Sequence, residues 1–187
     1  MAVTPSGAIS LADINTATGK SATAPSSMNG TAVRCISNTD SGAVSMSSLR
    51  NKIVAGGTIT SGTKTVTGKG GVINVFNGYS KNSTPLYGTL NNGNITTIPT
   101  VTAVETLSGN KASTSTTFSN QFNISATSGT AFTGTIRAKV GNNSNQTLTY
   151  TTFIGPAGPA IFNNTSVTPI IAAADVGVSL DWVLTDD

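Results

Sequence analysis

Polar and apolar residues alternate with period two through much of the second half of the chain. Val176, Val178, Leu180, Trp182 and Leu184 take turns with Gly177, Ser179, Asp181, Val183 and Thr185. Upstream, Phe132, Gly134, Ile136, Ala138 and Val140 make one face, and Thr133, Thr135, Arg137 and Lys139 the other. Phe118, Asn120, Phe122 and Ile124 form a third row, and Leu148, Tyr150, Thr152 and Ile154 a fourth. Successive side chains on a strand point to opposite faces, so this pattern predicts antiparallel strands with one face on a core and the other in water. Six or so such strands between turn clusters predict an all-β fold, an antiparallel β-sandwich of jelly-roll or immunoglobulin type, over residues 99–187. Trp182 falls on the inward face of its strand and is expected in the core.

Residues 58–98 read as a hairpin region that connects to this domain. Thr58–Thr60 and Lys64–Val66 flank a Ser61-Gly62-Thr63 turn, Val72–Phe76 is a strand ending at Asn77-Gly78, and Asn91-Asn92-Gly93 is a further turn. Residues 1–57 differ, with short helices and loops. Ser10 is placed to cap a helix in which Leu11 and Ile14 share a face, Asp13 meets the positive end of the helix dipole, and Gly19 is the stop. A second helix is expected after Ser45, with Met46, Leu49 and Ile53 on one face, Arg50 and Lys52 in the last turn, and Gly56-Gly57 as terminator. The stretch between, residues 20–31, reads as loop. Helices this short do not persist alone in water. Leu11, Ile14, Met46, Leu49 and Ile53 are therefore the predicted docking residues for a partner surface.

Composition narrows the chemistry. Charged residues are 9% of the 187, against roughly 25% in ordinary soluble domains, while Ser, Thr and Asn together make about two-fifths. The net charge of +3 is uneven: Lys20, Arg34, Arg50, Lys52, Lys64 and Lys69 outweigh Asp13 and Asp40 in the first 72 residues. That density is too dilute for a nucleic-acid footprint, and no aromatics interleave with it. There is no His, so Ser-His and Cys-His nucleophiles are excluded, and no set of metal-ligating residues is apparent. The terminal pair Asp186-Asp187 is not a ligand set. Cys35, the sole cysteine, has apolar neighbours and is expected to be a buried small hydrophobe. Ser61-Gly62-Thr63-Lys64 has the Ser-x-x-Lys spacing of serine acyl-enzymes without their companion motifs. Gly68-Lys69-Gly70 lacks the spacing and the Ser/Thr of a phosphate loop. The two collagen-type triplets from Gly155 to Ala160 are too few for a triple helix and read as a stiffened loop. Asn-x-Ser/Thr triplets such as Asn82-Ser83-Thr84 arise by chance in such a composition. The N-terminus has no signal-peptide pattern and no run is long enough to span a membrane, so synthesis in a cytoplasm, no membrane and no cofactor are expected.

One short phrase occurs twice. Ser-Gly-Ala-Ile-Ser-Leu-Ala-Asp-Ile at 6–14 returns as Ser-Gly-Ala-Val-Ser-Met-Ser-Ser-Leu at 41–49. Both copies, followed by Gly19-Lys20 and by Arg50-Asn51-Lys52, resemble a segment of structural proteins of tailed bacteriophages, tail-fibre and baseplate proteins among them. Ser48 stands in the second copy where Asp13 stands in the first. The resemblance covers roughly residues 5–56. It implies a non-enzymatic virion component, assembled in the host cytoplasm, that docks through its N-terminal segment to other virion proteins and forms a homo-oligomer, a trimer foremost. A capsid decoration or cement protein is the first alternative. The second is a host-surface carbohydrate-binding module, which needs an exposed aromatic, with Tyr79, Tyr87 and Phe153 the candidates.

Overall fold

The computed structural model describes Val3 and residues 8–68, 73–81, 83–91, 101–108, 117–125, 134–153 and 159–186. The parts of the predicted pattern at Val72, Asn92, Gly93, Phe132, Thr133 and Ile154 lie outside the described residues, as do Lys69, Gly70, Gly155 and the side chains of Thr152 and Phe153.

The described chain begins with helix α1 (Leu11–Ala17), helix α2 (Thr31–Ile36) and a 3-10 turn (Met46–Leu49). Ten strands follow: β1 (Val54–Thr60), β2 (Gly62–Thr67), β3 (Ile73–Ser80), β4 (Thr89–Asn91), β5 (Val101–Ser108), β6 (Phe118–Ser125), β7 (Thr135–Val140), β8 (Gln146–Phe153), β9 (Pro159–Ser166) and β10 (Ser179–Asp186). All ten belong to one sheet, ordered β2-β3-β5-β6-β9-β8-β7-β10-β1-β4, with every described pair antiparallel. The sheet curls until it nearly closes on itself, an open barrel, so the fold is all-β and antiparallel as the alternation predicts.

The inside of the curl is the main core. Ala55 and Ile59 from β1 meet Val104 from β5, Phe122 and Ile124 from β6, Ile136 and Ala138 from β7, Phe162 from β9, and Trp182 and Leu184 from β10. Phe122 and Trp182 meet at tilted rings 6.1 Å apart. One end is plugged by the segment before β10, whose Ile170 and Ile171 are fully buried. Its backbone is held by a buried polar cluster. Asn120 Oδ1 accepts from the Ile170 N–H at 2.8 Å and from Thr106 Oγ1 at 3.0 Å, and its Nδ2 donates to the Thr168 carbonyl at 3.1 Å. Thr106 Oγ1 in turn accepts the Ile171 N–H at 3.0 Å. Asn120 thus stands in a strand row with apolar Phe122 and Ile124 because the plug brings backbone groups that need partners.

Several local expectations fail for reasons of topology. Thr58–Thr60 and Lys64–Val66 do not form a hairpin: β1 pairs with β10 and β4, while β2 pairs with β3 at the far end of the strand order. Ser61 is a junction, its hydroxyl donating to the Asp175 carbonyl and its own carbonyl accepting the Gly177 N–H, both at 2.8 Å. Asn77-Gly78 lies within β3 and not at a turn, because β3 must pass closely over β5: a Cβ on Gly78 would stand 2.0 Å from the Val104 carbonyl oxygen. Gly56 and Gly57 sit inside β1 and end no helix. The final strand starts at Ser179, leaving Val178 exposed and Val176 half-buried.

The largest departure concerns the outer face. Arg137 and Lys139, expected in water, are 5% and 4% exposed. Val183 and Thr185 of β10 are likewise buried. Alternation along β7 holds, but the N-terminal segment covers the face that it was expected to leave wet.

Candidate docking surface

The first copy of the repeated phrase folds as its residues dictate. Ser10 is the N-cap of α1, and its backbone N–H and hydroxyl donate to Asp13 Oδ2 at 2.7 and 2.8 Å. The Asp13 N–H closes the box on Ser10 Oγ at 3.3 Å. These bonds, the backbone one foremost, hold the Asp13 carboxyl below the usual carboxylate range. The second copy has Ser48 at the Asp13 position and makes only the 3-10 turn Met46–Leu49. There Ser45 Oγ engages Ser47 Oγ at 2.7 Å instead of capping.

Despite this difference, equivalent residues of the two copies belong to one second apolar cluster and are buried to similar degrees. Ile14 and Leu49 are buried, while Ile9 and Leu11 in the first copy, and Val44 and Met46 in the second, are half-buried around them. Val3, Ala17 of α1 and Ala32, Val33, Cys35 and Ile36 of α2 complete the cluster, to which the described sheet adds Val54 and Val183. Of the five predicted docking residues, Ile14 and Leu49 are thus engaged with this chain's own segment and outer sheet face, and Leu11 and Met46 keep part of their surface in water. Ile53 does not join them: it packs against the main core, and its N–H donates to Asp186 Oδ1 at 2.8 Å. The boundary expected between residues 57 and 58 falls inside β1.

Beside Leu11 and Ile14 lies an open groove of about 380 Å³, floored by Ala32 and Val33 and walled by Pro25, Ser26 and Ser27. Lys20 and Asp181 close one side, Nζ to Oδ2 at 2.5 Å, each about one-third exposed. An apolar floor with a polar rim suits an inserted side chain from a partner.

The segment is tied to the sheet by polar contacts that the sequence does not announce. Lys139 Nζ lies 2.9 Å from Asp40 Oδ1 and donates also to the Asn143 carbonyl. Asp40 accepts the Asn145 N–H at 3.0 Å, and Asn145 Nδ2 donates to the Arg34 carbonyl at 3.1 Å. Burial pushes the Asp40 carboxyl up, but hydrogen bonds from Lys139 and Asn145, with the charges of Lys139 and Arg34, outweigh it and hold the carboxyl below its usual range. Thr31 Oγ1 donates to the Gly141 carbonyl at 2.9 Å. Cys35 is fully buried under α2 as expected, and burial pushes its thiol up to about 12 despite the nearby charges of Arg137 and Lys139, so it is inert as a nucleophile.

The remaining candidates do not assemble a site. Ser61 and Lys64 point to different partners, Lys64 Nζ reaching Ser83 Oγ at 2.6 Å. Tyr87 is buried and donates to Glu105, whose carboxyl is raised by burial against the lowering effects of Tyr87 and Lys64. Tyr79 is half-buried against the main core. Among the described residues no three metal-ligating side chains come together, and no helix is long and apolar enough to cross a membrane. Neither protein-family models, nor curated proteins, nor solved structures give a match to this chain.

Proposed function

We propose that this chain is a non-enzymatic structural component of a tailed-phage virion, joined to tail, baseplate or fibre proteins through its N-terminal segment. The repeated phrase carries the reading. Two copies that differ at the capping acid still place Leu11 and Met46 half-buried at the edge of one apolar cluster, with Leu11 beside the groove. Conserving an apolar pair at a partly wet site, while the helix type changes, is what a contact surface requires. The Thr- and Asn-rich sheet serves as the exposed module, its interior filled where Phe122 and Trp182 meet. A homo-oligomer, foremost a trimer, fits an assembly of this kind.

The test substitutes Leu11→Asp and Met46→Asp together. Each charge can stay hydrated at its half-exposed site, so the melting temperature is expected to fall only slightly. Incorporation into particles, read by quantitative mass spectrometry of purified virions, is expected to be lost. Normal incorporation of the folded double variant overturns the docking assignment.

A further inference from the structure

We propose that the N-terminal segment over residues 8–52 is a releasable flap over the barrel's outer face, latched there by the Lys139–Asp40 contact. Three observations converge on this. The segment's apolar side chains mostly meet one another: apart from Val54 and Val183, every buried member of its cluster lies within it, although α2 lies along β7 and β10. The sheet face beneath it carries Arg137, Lys139 and Thr185, a set that water can also accept. The two surfaces are therefore joined by polar ties as well as by Val54 and Val183, and among those ties Lys139–Asp40 links a buried charge to its counter-ion.

The latch is asymmetric. The Lys139 side chain is 5% exposed, while that of Asp40 is 47% exposed. Neutralising Asp40 leaves a buried ammonium with the Asn143 carbonyl as its described partner, and an unpaired buried charge is costly. Lifting the flap hydrates it. Losing Lys139 instead leaves a carboxylate that water already reaches and that still accepts the Asn145 N–H. The charged and titratable groups facing the pair are Arg34 and Cys35 from α2 and, along β7, Arg137, which has Asp186 nearby. The Lys20–Asp181 pair, partly exposed at both ends, holds more weakly. Because the carboxyl of Asp40 is depressed in the closed form, its contribution to closure is present above the ordinary carboxylate value. It is lost as pH falls through the depressed one. Release lifts the segment, with its cluster, off Val54 and Val183, and what the uncovered faces then meet rests on the docking reading above.

Cys35, sealed beneath α2, reports the flap, and Trp182, the sole tryptophan, reports the barrel. The rate of Cys35 modification by a dipyridyl disulfide is measured at pH 7 on the full chain, normalised to a free cysteine peptide, with Trp182 emission followed in parallel. Asp40→Asn is expected to raise the rate about tenfold with emission unchanged, as for a local opening. Lys139→Met is expected to stay within about twofold of the parent, and the double variant Asp40→Asn/Lys139→Met to return to it, since no buried ammonium is left without its counter-ion. Acidifying the parent chain is expected to reproduce the Asp40→Asn behaviour, and this decides the matter should that variant not fold. An unchanged rate in Asp40→Asn, failure of the double variant to restore closure, or Cys35 exposure that arrives only with a red shift of Trp182, overturns the latch. No partner enters these readouts, so the latch and the docking assignment fail separately.

Discussion

Trp182 fills the middle of the wrapped sheet, fully buried, with its indole N–H donating to the Asn91 carbonyl at 3.2 Å. Trp182→Ala therefore removes both a large apolar body and the cap on a β4 carbonyl. A loss of about 3–5 kcal/mol is expected, read as a melting temperature roughly 10 °C lower. A Trp that faced a ligand predicts the opposite, near-parent stability with lost glycan binding, so a melt and a glycan-binding assay on one variant separate the readings. Trp182, Phe122 and Ile136 were legible from alternation alone, because strand geometry forces residues two apart onto one face. Arg137 and Lys139 were not. Alternation tells which residues share a face and is silent on what later covers that face. Asn120 was legible as inward but not as necessary: the backbone groups that it satisfies, at Ile170 and Thr168, come from about 50 residues further along the chain.

At the scale of elements, local chemistry and long-range pairing part company. The capping box of α1 was readable because all its partners lie within four residues. The second copy was over-read: without an acid at Ser48 the helix has no reciprocal cap and ends after one turn at Leu49, and the chain enters β1 instead of continuing to Gly56. Helix α2 was missed, since its N-cap Gly30 makes no side-chain cap bond and only tertiary burial of Val33, Cys35 and Ile36 sustains it. The glycines of β1 illustrate pairing that sequence proximity cannot show. A Cβ on Gly57 would lie 1.9 Å from the Asn91 carbonyl oxygen and 2.9 Å from Trp182 Nε1. Gly57→Ala must push β4 away, and β4 holds to the sheet by three registered residues. A cost of about 2–3 kcal/mol is expected from such overpacking. Hydrogen exchange should show the lost protection concentrated at Thr89–Asn91. Uniform loss across the sheet, or none, contradicts this account of the glycine.

For the whole molecule the question is where one folding unit ends and the other begins, and the sheet answers it. β1 lies between β10 and β4, with Val54 paired to Thr185 and Ala55 to Leu184, so the barrel needs the chain from Ile53 onward. The Ile53 N–H and carbonyl are themselves bonded to Asp186. The described segment before it supplies the second cluster's other members and covers a face that is polar at Arg137, Lys139 and Thr185. Two truncations that differ by four residues should then behave oppositely. A chain starting at Ile53 loses the flap, exposes Val54 and Val183 as two isolated apolar side chains, and hydrates the Lys139 ammonium that was buried. It is expected to keep the β-type circular dichroism and the Trp182 emission of the full chain. A chain starting at Gly57 loses Val54, Ala55 and Gly56, opening a gap beside Leu184 and stripping the ladder from β10. It is expected to lose cooperative melting and to shift Trp182 emission to the red. The contrast is sharp because no change in the covering segment separates the two chains. Equal behaviour of both, folded or unfolded, would mean that the flap and the barrel are not the two units that the pairing and burial describe.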